Sequence, residues 1–153
     1  MDTQKLIVDK IASVLEATNN EHASHLKKLI DGAGRIFVSG AGRSLLVARF
    51  FAMRLVHTGY QVNMPGEIVT PALKSGDLLI VISGSGGTKT LMPMLETAKS
   101  KEAKIVVISM KASSAMADLA DYTVQIGNDD CFQLTKGLPM GTSFELSTLV
   151  YLE

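Results

Sequence analysis

Apolar residues recur at three- and four-residue intervals over the first 30 positions. Leu6, Ile7, Ile11, Val14 and Leu15 form one set, and His22, Leu26, Leu29 and Ile30 form another beyond Asn19 and Asn20. That period puts each set on one face of a helix, so two amphipathic helices are predicted, the second ending at Gly32-Ala33-Gly34. The pattern then changes. Arg35-Ile36-Phe37-Val38-Ser39 is a short β-branched and aromatic run, as a buried strand would be, and Gly40-Ala41-Gly42 turns the chain. A helix is predicted from Arg43 to Thr58, with Leu46, Phe50, Met53, Leu55 and Val56 on a wide apolar face and Gly59 as its stop. Further strands are expected at Tyr60 to Met64, Leu78 to Ile82, Lys104 to Ser109 and Tyr122 to Ile126. Helices are expected at Lys89 to Lys101 and around Ser114 to Leu119, and a final one from Met140 to Leu152, which the sequence cuts off without a cap. Strands alternating with helices of this length predict the α/β class: three layers, with a five-stranded, doubly wound parallel sheet covered on both faces.

With 153 residues and 46% hydrophobic positions, the chain suits one domain with a real core. Residues 1–32 would form the N-terminal helices and 33–153 the sheet core. Lys plus Arg and Asp plus Glu number 15 each, so no overall field draws the molecule to nucleic acid or to an anionic membrane. Neither partner is expected. The single Cys131 rules out an internal disulfide and fits a reducing compartment. No signal-type apolar stretch opens the chain and no run of 18 apolar residues occurs, so a cytoplasmic location is expected.

In an open parallel sheet, ligands bind beyond the carboxyl ends of the strands where the crossovers change direction. Two predicted loops have that address. Ser39-Gly40-Ala41-Gly42-Arg43-Ser44 follows the first strand, and Ser83-Gly84-Ser85-Gly86-Gly87-Thr88 follows the third and runs into a helix. Amides of the second loop, helped by the helix dipole and the hydroxyls of Ser83, Ser85 and Thr88, would gather around a phosphate monoester. The competing reading is a tight turn whose serines cap the next helix. The first loop fails as a dinucleotide fingerprint, since Leu45 fills the third glycine position and no acid ends the second strand. No Gly-Lys-Ser or Gly-Lys-Thr triplet exists, which removes the nucleotide P-loop. Arg43 and Ser44, at a helix start, either reach the crevice or face solvent.

SGAGRS at 39–44, FAMRLVHTGY at 51–60, GEIVTPA at 66–72, ISGSGGT at 82–88 and LPMGTSFE at 138–145 resemble, in order, the 6-phospho-3-hexuloisomerases of the sugar isomerase (SIS) superfamily. The resemblance implies a flavodoxin-like SIS domain, a homotetramer, and reversible conversion of arabino-3-hexulose 6-phosphate to fructose 6-phosphate within ribulose monophosphate formaldehyde fixation. It implies no cofactor and no metal. Ser39, Gly42, Arg43, Ser44, Ser83, Ser85, Gly86 and Thr88 would bind the sugar phosphate. Proton transfer between C2 and C3 through an enediol calls for a carboxylate base. By resemblance Glu145 leads and Glu67 is second, while each could instead serve as a helix-terminal or loop acid. His57 would handle the carbonyl oxygen, or it would complete a helix packing face. Two departures stand out: Gly87 replaces a charged residue common in the superfamily's phosphate loop, and the chain ends at Glu153 inside a helix where family members continue to a histidine-bearing tail. The alternatives are a sugar-phosphate sensor without catalysis, and an isomerase for another substrate such as arabinose 5-phosphate.

Overall fold

The computed structural model describes residues 2–132 and 142–153. In chain order its elements are α1 (Thr3–Ala17), α2 (Glu21–Gly32), β1 (Ile36–Gly40), α3 (Arg43–His57), β2 (Val62–Asn63), β3 (Leu78–Ile82), α4 (Met92–Ser100), β4 (Lys104–Ser109), α5 (Ala115–Leu119), β5 (Tyr122–Gln125) and α6 (Thr142–Leu152). Three of the helix starts follow from side-chain chemistry. Asp2 accepts from the Gln4 amide ahead of α1, Asn19 accepts from the Glu21 amide at the start of α2, and Ser114 accepts from the Ala117 amide at α5.

All strand pairs are parallel, in the order β2-β1-β3-β4-β5. The central strands are buried on both faces, which is why they are written as continuous runs of Ile, Leu and Val. Their alternation sorts the core. Ile36, Val38, Ile80, Ile82, Val106 and Ile108 pack with α1, α2, α3 and α6, while Phe37, Leu79, Val81, Ile105 and Val107 pack with α4 and α5. Each fully buried side chain of this kind contributes roughly 1.5–3 kcal/mol. At the amino ends of the strands the Arg35 guanidinium donates to both Asp77 oxygens, at 2.9 and 2.6 Å, and to the Ala72 carbonyl. Asp77, 1% exposed, also accepts from the Lys74 amide and so pins the long β2–β3 connection.

Two expected elements are shorter than their patterns. β2 keeps only Val62 and Asn63, because this edge strand finds partners in Ile36 and Phe37 alone and the Tyr60 amide closes α3 by bonding to the Leu55 carbonyl. The helix expected from Lys89 opens as a 3-10 turn, Lys89–Leu91, and becomes α-helical at Met92 with Pro93 in its first turn. Met140, expected to start the last helix, lies outside the described residues, as does the rest of the LPMG segment. Among the described residues no helix is long and apolar enough to cross a membrane.

Candidate functional site

β1 and β3 are neighbours in the sheet, yet their following helices leave to opposite faces and opposite edges, α3 toward β2 and α4 toward β4. The crevice therefore opens between the loops at 40–43 and 83–88. Gly42 turns the first loop with φ 57° and ψ −132°, a conformation side chains resist, and delivers Arg43 as the first residue of α3. Ser44 is half-buried on the same turn, and Ser39, 3% exposed, is held in β1.

The second loop is fastened from outside. The Gly84 carbonyl accepts from the Ser109 hydroxyl and the Met110 amide, and the Gly86 carbonyl accepts from the Met116 amide. Gly86 has φ 66°, and a Cβ there would meet Ser114 Oγ at 2.3 Å, so glycine is required at this position. Ser83 turns inward: 2% exposed, its hydroxyl accepts from the Gly86 amide at 3.2 Å and pairs with Thr88 Oγ1 at 2.9 Å. The expected ligand donor at Ser83 is thus a staple of the loop, and the Gly86 amide is spent inside it. The Gly87 amide donates to Ser85 Oγ at 3.2 Å. What remains is a smaller nest: the Gly84, Ser85 and Thr88 amides bond to none of the described residues, and the exposed Ser85 hydroxyl is free to donate.

The third side comes from α6. Phe144, 2% exposed, lies against Gly84, where an added Cβ would stand 3.1 Å from Phe144 Cδ1 and 3.1 Å from Met110 Cε. That contact sets its neighbour Glu145 over the crevice, with Oε1 3.7 Å from Arg43 Nε. The Glu145 side chain is 15% exposed, and its buried Oε2 has no hydrogen-bond partner among the described residues. A buried carboxylate oxygen left unpaired is costly unless something else uses it. The sequence pattern alone does not single out Phe144 or Met110. The signal for Met110 was its place directly after β4, the same address that marked the other two loops.

The remaining candidates lie elsewhere. Glu67, on the exposed loop after β2, faces Arg49 at 3.6 Å rather than Arg43. The Thr70 region is closed without its carboxylate, by the Thr70 hydroxyl donating to the Met64 carbonyl at 2.6 Å. His57 is exposed in the last turn of α3, 14 residues beyond Arg43 and so about 21 Å along the axis. Within one chain the helix that starts in the crevice thus carries His57 away from Arg43. Among the described residues no three His, Cys, Asp or Glu side chains converge as metal ligands do.

Residues 29–151 match the SIS domain family. A 3-hexulose-6-phosphate isomerase of Methylomonas aminofaciens is 59% identical over 152 residues, covering 98% of this chain and 84% of that protein. The crystal structure of a hypothetical protein of Methanococcus jannaschii, for which 3-hexulose-6-phosphate isomerase function has been inferred, superposes with a TM-score of 0.83 at 35% identity, covering 99% of this chain and 85% of the other. The Vibrio vulnificus NanR protein complexed with ManNAc-6P superposes with a TM-score of 0.80 at 18% identity, covering 98% of this chain and 57% of that one, a likeness of fold alone.

Proposed function

Since this chain belongs to the SIS domain family and aligns along almost its whole length with a 3-hexulose-6-phosphate isomerase, we propose that it interconverts arabino-3-hexulose 6-phosphate and fructose 6-phosphate. It is a sugar-phosphate isomerase. The single observation that carries the catalytic assignment is the buried Glu145 oxygen, without a partner among the described residues, beside Arg43 and one residue from the side chain that closes on the phosphate loop.

In this reading the phosphate sits on the free amides of Gly84, Ser85 and Thr88 and on the Ser85 hydroxyl, which fixes the reacting carbons under Glu145. The carboxylate takes the proton from C2 of the 3-ketose. The C–H electrons form the C2–C3 double bond and the C3 carbonyl oxygen is protonated, giving the 2,3-enediol. Returning the proton to C3, with loss of the O2 proton, leaves the C2 ketone of fructose 6-phosphate. Arg43 stands where charge on the enediol oxygens would develop. Glu67 and His57 have no place in this step within one chain. Ribulose monophosphate formaldehyde fixation is the proposed setting, and the cytoplasm the proposed location, in keeping with the free thiol of Cys131. A homotetramer is proposed for the assembly, in keeping with the apolar face that α3 leaves exposed.

A coupled assay of fructose 6-phosphate formation on Glu145→Gln tests the base. The expected loss in kcat is about 10²- to 10⁴-fold, the usual contribution of a positioned proton-transfer group. Turnover at the wild-type rate would remove Glu145 from the mechanism.

A further inference from the structure

Beside the crevice, at the carboxyl ends of β4 and β5, lies a cavity of about 510 Å³ lined by Met110, Lys111, Ala112, Ser113, Asp129 and Phe132. That volume is within the range of small-molecule sites. We propose that this cavity receives the non-phosphorylated end of the ketose and that Lys111 and Asp129 are its specificity-determining residues, an inference that rests on the sugar-phosphate reading above.

The cavity shares its walls with the site already described. Met110 lines it and also reaches Gly84 in the phosphate loop, while Phe132 lines it and meets the Phe144 ring edge-on, centroids 6.0 Å apart. A hexulose 6-phosphate anchored at residues 84–88, with C2 and C3 at Glu145, has its C1 end still to place. Five C–C bonds of about 1.5 Å extend past the anchor, so the chain outruns the nest. The lining suits a polyol. Met110, Ala112 and Phe132 offer apolar surface to C–H groups, Ser113 offers a hydroxyl, and the two charged side chains offer an ammonium donor and a carboxylate acceptor.

The frame that carries these groups is fixed before any ligand arrives. The Met110 amide donates to the Gly84 carbonyl at 3.1 Å and the Lys111 amide donates to Ser109 Oγ at 3.2 Å. Gln125 Nε2 joins the two sides of the cavity, donating to the Met110 carbonyl at 3.1 Å and to Asp129 Oδ1 at 2.8 Å. Asp129 Oδ2 keeps its accepting capacity, and the Lys111 ammonium has no hydrogen bond or ion pair with the described residues. A cation and a carboxylate on a preformed frame, neither of them paired with the other, can read the hydroxyl at the C1 end at low ordering cost.

Calorimetric titration of Lys111→Met and Asp129→Asn with fructose 6-phosphate, glycerol 3-phosphate and inorganic phosphate tests this, alongside kinetics on each variant. Both side chains are exposed, so the variants should fold. Each substitution is expected to weaken fructose 6-phosphate about tenfold, the scale of one lost hydrogen bond to a charged group. Glycerol 3-phosphate and inorganic phosphate, which stop short of the cavity, should bind as to wild type. Unchanged fructose 6-phosphate affinity in both variants overturns the inference, as does an equal loss for all three ligands, which would make the residues phosphate contacts. A wild-type chain that binds fructose 6-phosphate without isomerising it sinks the isomerase reading, while the binding arm still decides the cavity.

Discussion

Three serines and threonines of the 83–88 loop, alike in the sequence, have three different fates. Ser83 is buried and bonded within the loop, Thr88 pairs with it, and Ser85 alone presents its hydroxyl outward. Ser85→Ala should therefore raise KM for the sugar phosphate about tenfold with kcat at saturation little changed, since a hydrogen bond to a charged phosphate contributes about 1.5–3 kcal/mol in ground and transition states alike. Ser83→Ala should instead lower stability by about 1 kcal/mol, seen as a fall in thermal midpoint, because the Gly86 amide loses its hydroxyl partner. A Ser85 variant with wild-type KM would show that the outward hydroxyl touches no substrate. At this scale the sequence marked the right loop but could not divide its residues, because the direction of a hydroxyl depends on which neighbour fastens the backbone. Here the fastening comes from Ser109, Met110 and Met116, 25 to 30 positions away. Glu145 and Arg43 were both legible as candidates; their pairing was not, since it needs α6 folded back over the start of α3.

Period and glycine stops locate the elements well wherever an element is buried. β3 and β4 have the expected limits because four or five consecutive apolar residues have only one stable home in a doubly covered sheet. Period fails at the rim, where β2 has one neighbour and α4 starts through a 3-10 turn. Period also placed His22 among the apolar positions of α2 without saying what it meets. The structure brings it to β5, with Nδ1 2.6 Å from the Tyr122 hydroxyl, and His25 stacks on the same ring at 4.9 Å. Burial disfavours the His22 cation, His25 adds repulsion and Glu21 opposes both, so its pKa lies below the ordinary 6.5. The sign follows directly. As the pH falls from 6.5 the unfolded chain binds the proton first, so stability is level above that value and declines through the folded-state pKa below it. Thermal midpoints measured between pH 7.5 and 5 should fall on the acid side, and His22→Gln should flatten the slope. An equal slope in the variant would assign the decline to other groups.

At the scale of the whole molecule the exposed apolar residues have a pattern that one chain leaves unused. On α3, Leu46, Phe50, Met53 and Val56 recur at helical spacing and stand 47–67% exposed, although the opposite face of the same helix fills the core. Val150 on α6 is also exposed, and Ile68 and Val69 project from the loop after β2 almost without cover. Of the wide apolar face that spacing gives this helix, Leu46, Phe50, Met53, Leu55 and Val56, only Leu55 is buried, together with Val47, Ala48, Phe51 and Ala52. A helix that is apolar nearly all round needs cover on both sides, and contiguous exposed patches of this sort mark association. With equal numbers of acidic and basic residues the chain has little net charge to oppose self-association. Phe50 sits at the middle of the stripe, so placing a carboxylate there should remove the drive for pairing and leave the fold intact. Sedimentation of Phe50→Glu is expected to give a species smaller than wild type, with an unchanged far-ultraviolet spectrum. The stripe begins at Leu46, one turn from Arg43, so the same variant should bind fructose 6-phosphate more weakly if covering this face steadies the start of α3. A wild-type chain that sediments as a monomer, or a Phe50→Glu variant of undiminished mass, would show that this face is not where copies meet.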